Sequence, residues 1–320
     1  MDQQAPQDVA LALRTILRRT RILLVSFLVP LLLGGACTRG CATFDGQTIV
    51  VRNDPARDTL DVLLVYRGLR ADGPLDDAVA QVEQARGRRV MTVGGPWCTL
   101  DLDGALGKPA TGSLPQALAG CEVHDLGLWL DAEGRLCGAQ HVHLDDVAAV
   151  VRTLNDALRS ELLADDQQLA GWLRDFGLDR PGDVGATRER LEAEEHFPFV
   201  TITSGVLTLS FPLAAEQPPR IRAMLLTELA KLQSEAEAGK PSAVAERRLL
   251  LENPISVLTE ADRVLLVLGD EATGELRLEL RSDRPPSAVL TDALRARGSE
   301  IDGPETEARV RAAFDKATGR

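Results

Sequence analysis

The side chains best suited to chemistry fall in two stretches. In "DLGLWLDAEGRLCGAQHVHL", Asp125 to Leu144, His141 and His143 stand two residues apart. On a strand that spacing turns both imidazoles to one face. With Asp125 across the hairpin, the set would suit zinc, which takes nitrogen and oxygen ligands. Cys121 and His124 lie close by in the chain, but no CxxC pair and no HExxH helix accompanies them. The plainer role of such histidines is a partly exposed pair touching a neighbouring acid. In "WCTLDLDGAL", Asp101 and Asp103 are two acids just before Gly104. Their plainer role is a strand end running into a polar turn.

The "DLDG" stretch resembles the first motif of haloacid-dehalogenase-type phosphatases. That resemblance implies that Asp101 attacks phosphorus and that Asp103 works as acid and base. It extends in order along the chain: Thr203 in "FVTITSG" would be the second motif, Lys231 the phosphate lysine, and Asp270 after "VLLVLG" a metal ligand. It also implies parallel strands that lead into helices. The local sequence implies something different. "TITSG" runs straight into "VLTL", and "LVLGDEATG" into "ELRLEL". Such short connections join antiparallel neighbours, whereas parallel strands need a crossover of a dozen or more residues. Ala105 also stands where that family carries Thr. A metal-dependent hydrolase, through Asp101 and Asp103 or through the His141/His143 face, is therefore the alternative function.

Other motifs fail. "GALGKP" lacks phosphate-loop spacing, and Pro109 stands where a magnesium-binding hydroxyl belongs. There is no GxSxG elbow. Glu192, Glu194 and Glu195 read as a solvated helix end.

The elements that must position these residues are hairpins and amphipathic helices. "TIVVR" and "TLDVLLVYRGL" flank the turn-rich "NDPARD". Around "DAEGR", a three-residue loop with Gly134 in the left-handed conformation pairs Leu130 with Leu136 and, in unbroken register, Asp125 with His141. A Ser204-Gly205 loop pairs Ile202 with Leu207 and Val200 with Leu209. "RVLLVLGDEATGELRLELR" reads as a third hairpin. Helical spacing recurs in "PLDDAVAQVEQAR", in "DDVAAVVRTLNDALRSEL" and in "SAVLTDALRARG". The expected class is α+β: mostly antiparallel sheet built from several hairpins, with amphipathic helices packed on one side. Residues 48–300 would form this body, with a subdomain break near 165–196. Residues 301–320 would be a loosely held, charged helical tail.

Composition narrows the partners. The chain has 36 basic and 48 acidic residues, and four Arg and two Asp fall in residues 1–36, so 32 basic and 46 acidic residues remain and residues 37–320 carry a net −14. A body that acidic repels nucleic acid. Aromatic content of 3% leaves few stacking platforms for single strands. No nucleic-acid partner and no cofactor is expected.

The N-terminus assigns a place. Arg14, Arg18, Arg19 and Arg21 precede the uncharged run from Ile22, which ends in Gly34-Gly35-Ala36. The 15 residues Ile22–Ala36 make a helix of about 22 Å, short of a hydrocarbon core of roughly 30 Å. A signal peptide fits better than an anchor helix. Residues 1–37 resemble a bacterial lipoprotein signal, which implies lipid on Cys37, a tether over 37–47 and attachment to the cell envelope by more than one acyl chain. Ordinary cleavage and a retained anchor are the alternatives. Arg18-Arg19 also resembles a twin-arginine signal. Cys41, Cys98, Cys121 and Cys137 would then share an oxidising compartment, free or in one of three pairings. The expected function is that of an exported, lipid-anchored envelope protein with a non-catalytic role, binding an envelope partner or ligand or serving structurally.

Overall fold

The computed structural model describes residues 42–92, 99–104, 118–174, 181–213, 255–260, 263–269, 271–280 and 287–319, with residue 116 and scattered positions between 217 and 238. They fall into two compact units, one holding residues up to 147 together with 274–319, the other residues 148–273. The expected break near 165–196 lies inside the second unit. The chain instead leaves the first unit after 147 and re-enters it at 274.

In chain order the elements are β1 (Ala42–Thr43), β2 (Gly46–Asp54), β3 (Thr59–Arg67), β4 (Arg70–Ala71), α1 (Leu75–Ala85), β5 (Val90–Thr92), β6 (Thr99–Asp101), β7 (Glu122–Leu130), β8 (Leu136–Asp145), α2 (Val147–Ala164), α3 (Asp166–Arg174), α4 (Pro181–Ala193), β9 (Val200–Thr203), β10 (Val206–Pro212), β11 (Ile255–Thr259), β12 (Arg263–Gly269), β13 (Leu276–Leu280), α5 (Val289–Ala296) and α6 (Thr306–Ala317). Every ladder between named strands is antiparallel, so the class is α+β.

The first unit is built on a five-stranded sheet of order β13-β2-β3-β8-β7. β2 and β3 form the expected hairpin, with Asp54 opposite Thr59. The Asp54 carboxylate accepts from the amides of Ala56 and Arg57 at 3.0 and 3.3 Å, which folds the chain back. The β7–β8 turn is also as expected. The Asp131 amide donates to the Arg135 carbonyl, Gly134 has φ +75°, and Leu130 faces Leu136.

The helices do not keep to one side of this sheet. On one face, α6 seats Val310 and Phe314 against Val50, Leu63, Val65, Cys137 and Ala139. On the other, α1 and α5 bring Val79, Val82, Leu290 and Leu294 onto Leu128 and Leu136. Two-sided cover follows from "TLDVLLVY", whose central strand is apolar in consecutive positions and must be buried on both faces. The C-terminal segment is accordingly no loose tail. Val310 and Phe314, four apart on α6, form a buried stripe within it.

The second unit has a four-stranded sheet, β11-β12-β10-β9. Its β9–β10 hairpin holds the expected register, Ile202 to Leu207 and Val200 to Leu209. The Asn155 amide of α2 clamps the Val200 backbone, donating to its carbonyl at 3.0 Å and accepting from its N–H at 2.9 Å. The expected third hairpin does not form. β12 pairs with β10 and β11, while β13 adds to β2, placing Leu276 and Leu278 opposite Val51 and Ile49. Leu276 and Leu278 are buried in that position. Turn chemistry at 270–275 permits a hairpin but does not compel one, and the apolar edge of β2 supplies the better partner.

Candidate functional site

The histidine cluster sits on the α6 face of the five-stranded sheet. β8 turns His141 and His143 to that face, and β3 presents Asp61 directly opposite His143. One carboxylate oxygen, Asp61 Oδ1, lies 2.7 Å from His141 Nε2 and 2.8 Å from His143 Nδ1. His143 Nε2 also lies 3.4 Å from Asp145. The hydrogen bond with Asp61 is the main reason the His143 imidazole titrates above its ordinary range. Burial pushes the Asp61 carboxyl up, but the hydrogen bonds and charge of His141 and His143 outweigh it and hold it low. His124 stands opposite His141 with ring centroids 5.8 Å apart, and bonds Glu122 at 3.2 Å. The Phe314 and His141 rings meet nearly perpendicular, with centroids 5.3 Å apart.

Asp125 is not part of this group. A β-bulge between Asp125 and Leu128, with Gly127 at φ +97°, adds one residue to β7 and shifts the register. Asp125 therefore faces Gln140 rather than His141 and lies on the opposite side of the sheet. There it pairs with Arg86 at 2.7 Å. The expected triad of Asp125, His141 and His143 is thus split, and Asp61 takes the position assigned to Asp125. Among the described residues no group of three or more His, Cys, Asp or Glu is arranged to hold a metal ion.

The two acids of "DLDG" belong to a separate two-stranded ribbon. Asp101 ends β6 opposite Val90 and is buried. Asp103 accepts from the Arg89 backbone amide at 3.0 Å and from its Nε at 2.9 Å, contacts that keep its carboxyl low. The parallel framework implied by the phosphatase resemblance is absent where it can be seen. Thr203 sits in a tight antiparallel hairpin, while Lys231 and Asp270 lie outside the described residues. So do Cys37, Cys41 and Cys98. Cys121 and Cys137 are free and buried, and burial pushes their thiols up to about 11 and about 12.

On the α1 face a cavity of about 90 Å³ opens between the C-terminal end of α1 and the sheet. Phe44, Leu69, Val82 and Leu128 supply apolar walls, and Arg86 and Asp125 line it as well. Gly138 of β8 lines it and lets Leu128 and Leu69 pack close against the sheet. A Cβ at that position would stand 3.0 Å from Leu128 and 3.4 Å from Leu69. Within it, the Tyr66 hydroxyl lies 2.7 Å from Gln140 Oε1, and Gln140 Nε2 donates to the Val90 carbonyl at 2.8 Å.

No family model, curated protein or solved structure matches the chain.

Asp61 and Arg86 were missed by motif reasoning, yet Asp61 leaves a signal. It is the sole charge in "TLDVLLVY", and an acid inside a strand covered on both faces needs a cationic or hydrogen-bonding partner. Arg86 follows the last residue of α1 and carries no comparable mark.

Proposed function

We propose that this chain is an exported protein of the bacterial cell envelope, tethered by lipid on Cys37, whose folded body binds a ligand or partner without catalysing a reaction. The observation that carries the non-catalytic reading is the separation of the candidate groups. Asp103 is held by Arg89, Asp125 by Arg86, and Asp61 by two histidines, on three different parts of the first unit. A general acid or base must be able to exchange its proton with a reacting atom, and each of these carboxylates is instead engaged by its own partner. The cavity beside α1 instead combines apolar walls with a few placed polar groups, the composition of a binding site. The export reading rests on the Arg-rich start, the 15-residue run Ile22–Ala36 and the Gly-Gly-Ala-Cys junction.

Fractionation of cells expressing Cys37→Ala tests the tether. The variant should leave the membrane fraction, and a membrane-bound variant of unchanged mass overturns the lipid assignment. The purified protein should not hydrolyse a generic phosphate ester with magnesium or zinc. Hydrolysis that disappears in Asp101→Asn overturns the non-catalytic reading.

A further inference from the structure

We propose that the cavity between α1 and the five-stranded sheet binds an α-amino acid with a short branched apolar side chain, its carboxylate on Arg86 and its ammonium on Asp125. This rests on the binding role proposed above and names the ligand for it.

The head group follows from the ion pair at the cavity. Among the described residues Asp125 engages Arg86 through its Nε alone. Among the described residues the terminal guanidinium nitrogens are left without a partner, and they offer the paired donors that suit a carboxylate. Among the described residues Asp125 Oδ1 receives only the Gly127 amide at 3.2 Å and retains acceptor capacity. The pair is neutral as a whole, so it favours a head carrying both signs over a lone anion or cation. An anion would also have to approach a body whose net charge is −14 over residues 37–320, whereas a zwitterion is neutral.

The tail follows from the walls. Phe44, Leu69, Val82 and Leu128 offer no charge to a side chain lying among them. An apolar cavity of about 150 Å³ takes benzene, and this one measures about 90 Å³. It has room for a side chain of about four carbons, and an indole does not fit. At its base, Gln140 already bonds Tyr66 and Val90, so the wall there is satisfied without help from the ligand.

Isothermal titration of the full-length protein in detergent tests this, using L-leucine, 4-methylpentanoate, 3-methylbutylamine and L-tryptophan. L-leucine should bind, the two single-headed analogues at least tenfold more weakly, and L-tryptophan not at all. Arg86→Gln should weaken L-leucine and 4-methylpentanoate at least tenfold, and Asp125→Asn should weaken L-leucine and 3-methylbutylamine at least tenfold. Binding of 4-methylpentanoate as tight as that of L-leucine overturns the proposal, as does heat from none of the four. The ligand series on the unaltered protein decides even where a variant does not fold. A negative result here is distinct from failure of the parent reading, which would show as loss of phosphate-ester hydrolysis in Asp101→Asn.

Discussion

One face of the five-stranded sheet in the first unit is saturated, and the other is not. On the α6 side, Asp61, His141 and His143 satisfy one another, and Phe314 packs against them. Next to them Arg52 lies over the Phe314 ring at 4.6 Å and bonds Glu275 and Asp315 at 2.8 and 2.5 Å. Arg311 joins Glu275 at 2.7 Å. On the α1 side, Arg86 and Asp125 form an equally close pair, but the space beside them is empty of protein atoms. Ionisable residues of similar type thus have different capacities. The difference lies in what stands beside them: an aromatic ring packed on the histidines on one face, and on the other a cavity between α1 and the sheet. A polar group closed in by its own neighbours holds a fold together, whereas one that borders a void can exchange partners.

The sharpest way to break this contrast is to empty the closed face. Phe314 is fully buried between Arg52 and His141. Phe314→Ala should cost about 3–5 kcal/mol, from lost burial and the cavity left behind, read as a lower urea midpoint. A loss under about 0.5 kcal/mol, the range of an ordinary surface change, would mean that α6 is an accessory to the sheet rather than its cover.

A smaller effect should follow from Asp61→Asn. The amide cannot supply a negative charge to two imidazoles, and a loss of about 1–3 kcal/mol is expected for disturbing buried, charge-assisted hydrogen bonds. The pH dependence gives the sign. His143 titrates above its unfolded value of about 6.5, so its contribution is complete below that pH and fades as pH rises through the raised folded value. Asp61 titrates below its unfolded value of about 3.9, so its contribution holds above that pH and fades as pH falls through the depressed folded value. Wild-type stability should therefore decline from pH 6 towards pH 8, and Asp61→Asn should flatten that decline. The His143 ring resonances should titrate at lower pH in the variant. An unmoved His143 midpoint would assign its shift to Asp145 instead.

Local pattern made much of this legible. The Ser204-Gly205 and Gly134 turns carried enough information to set register, and the pairings next to them are those that alternation predicts. The α+β class and most helices followed from period alone. Two features did not. The bulge at Asp125–Leu128 interrupts a sequence that alternates without a break, so unbroken counting put Asp125 with the histidines. Gly127 hinted at it, since a glycine inside a strand can mark a bulge. The fate of β12 and β13 depends on which sheet edge each strand meets, a long-range competition that the turn between them cannot report. The cavity was equally hidden, because it arises where the end of α1 meets the sheet, between segments distant in sequence. The signal-like segment lies outside the described residues, and its assignment still rests on sequence.

The finest test of the two-faced arrangement is Gly127→Ala. A Cβ at Gly127 would meet nothing within 4 Å, so crowding plays no part and the effect isolates the backbone. With φ at +97°, an L side chain is strained, and the cost should be about 1 kcal/mol. If the strained bulge persists, His124 stays opposite His141, and an interproton contact between the two rings survives alongside the lower stability. If the bulge were instead a passive insertion, the chain would slip by one residue to relieve φ. Asp125 would then move opposite His141, leave Arg86 and shift the histidine titrations. Stability unchanged together with that slip would show that the bulge does not keep the carboxylates apart. The separation of the faces would then fall to helix packing by α1 and α6.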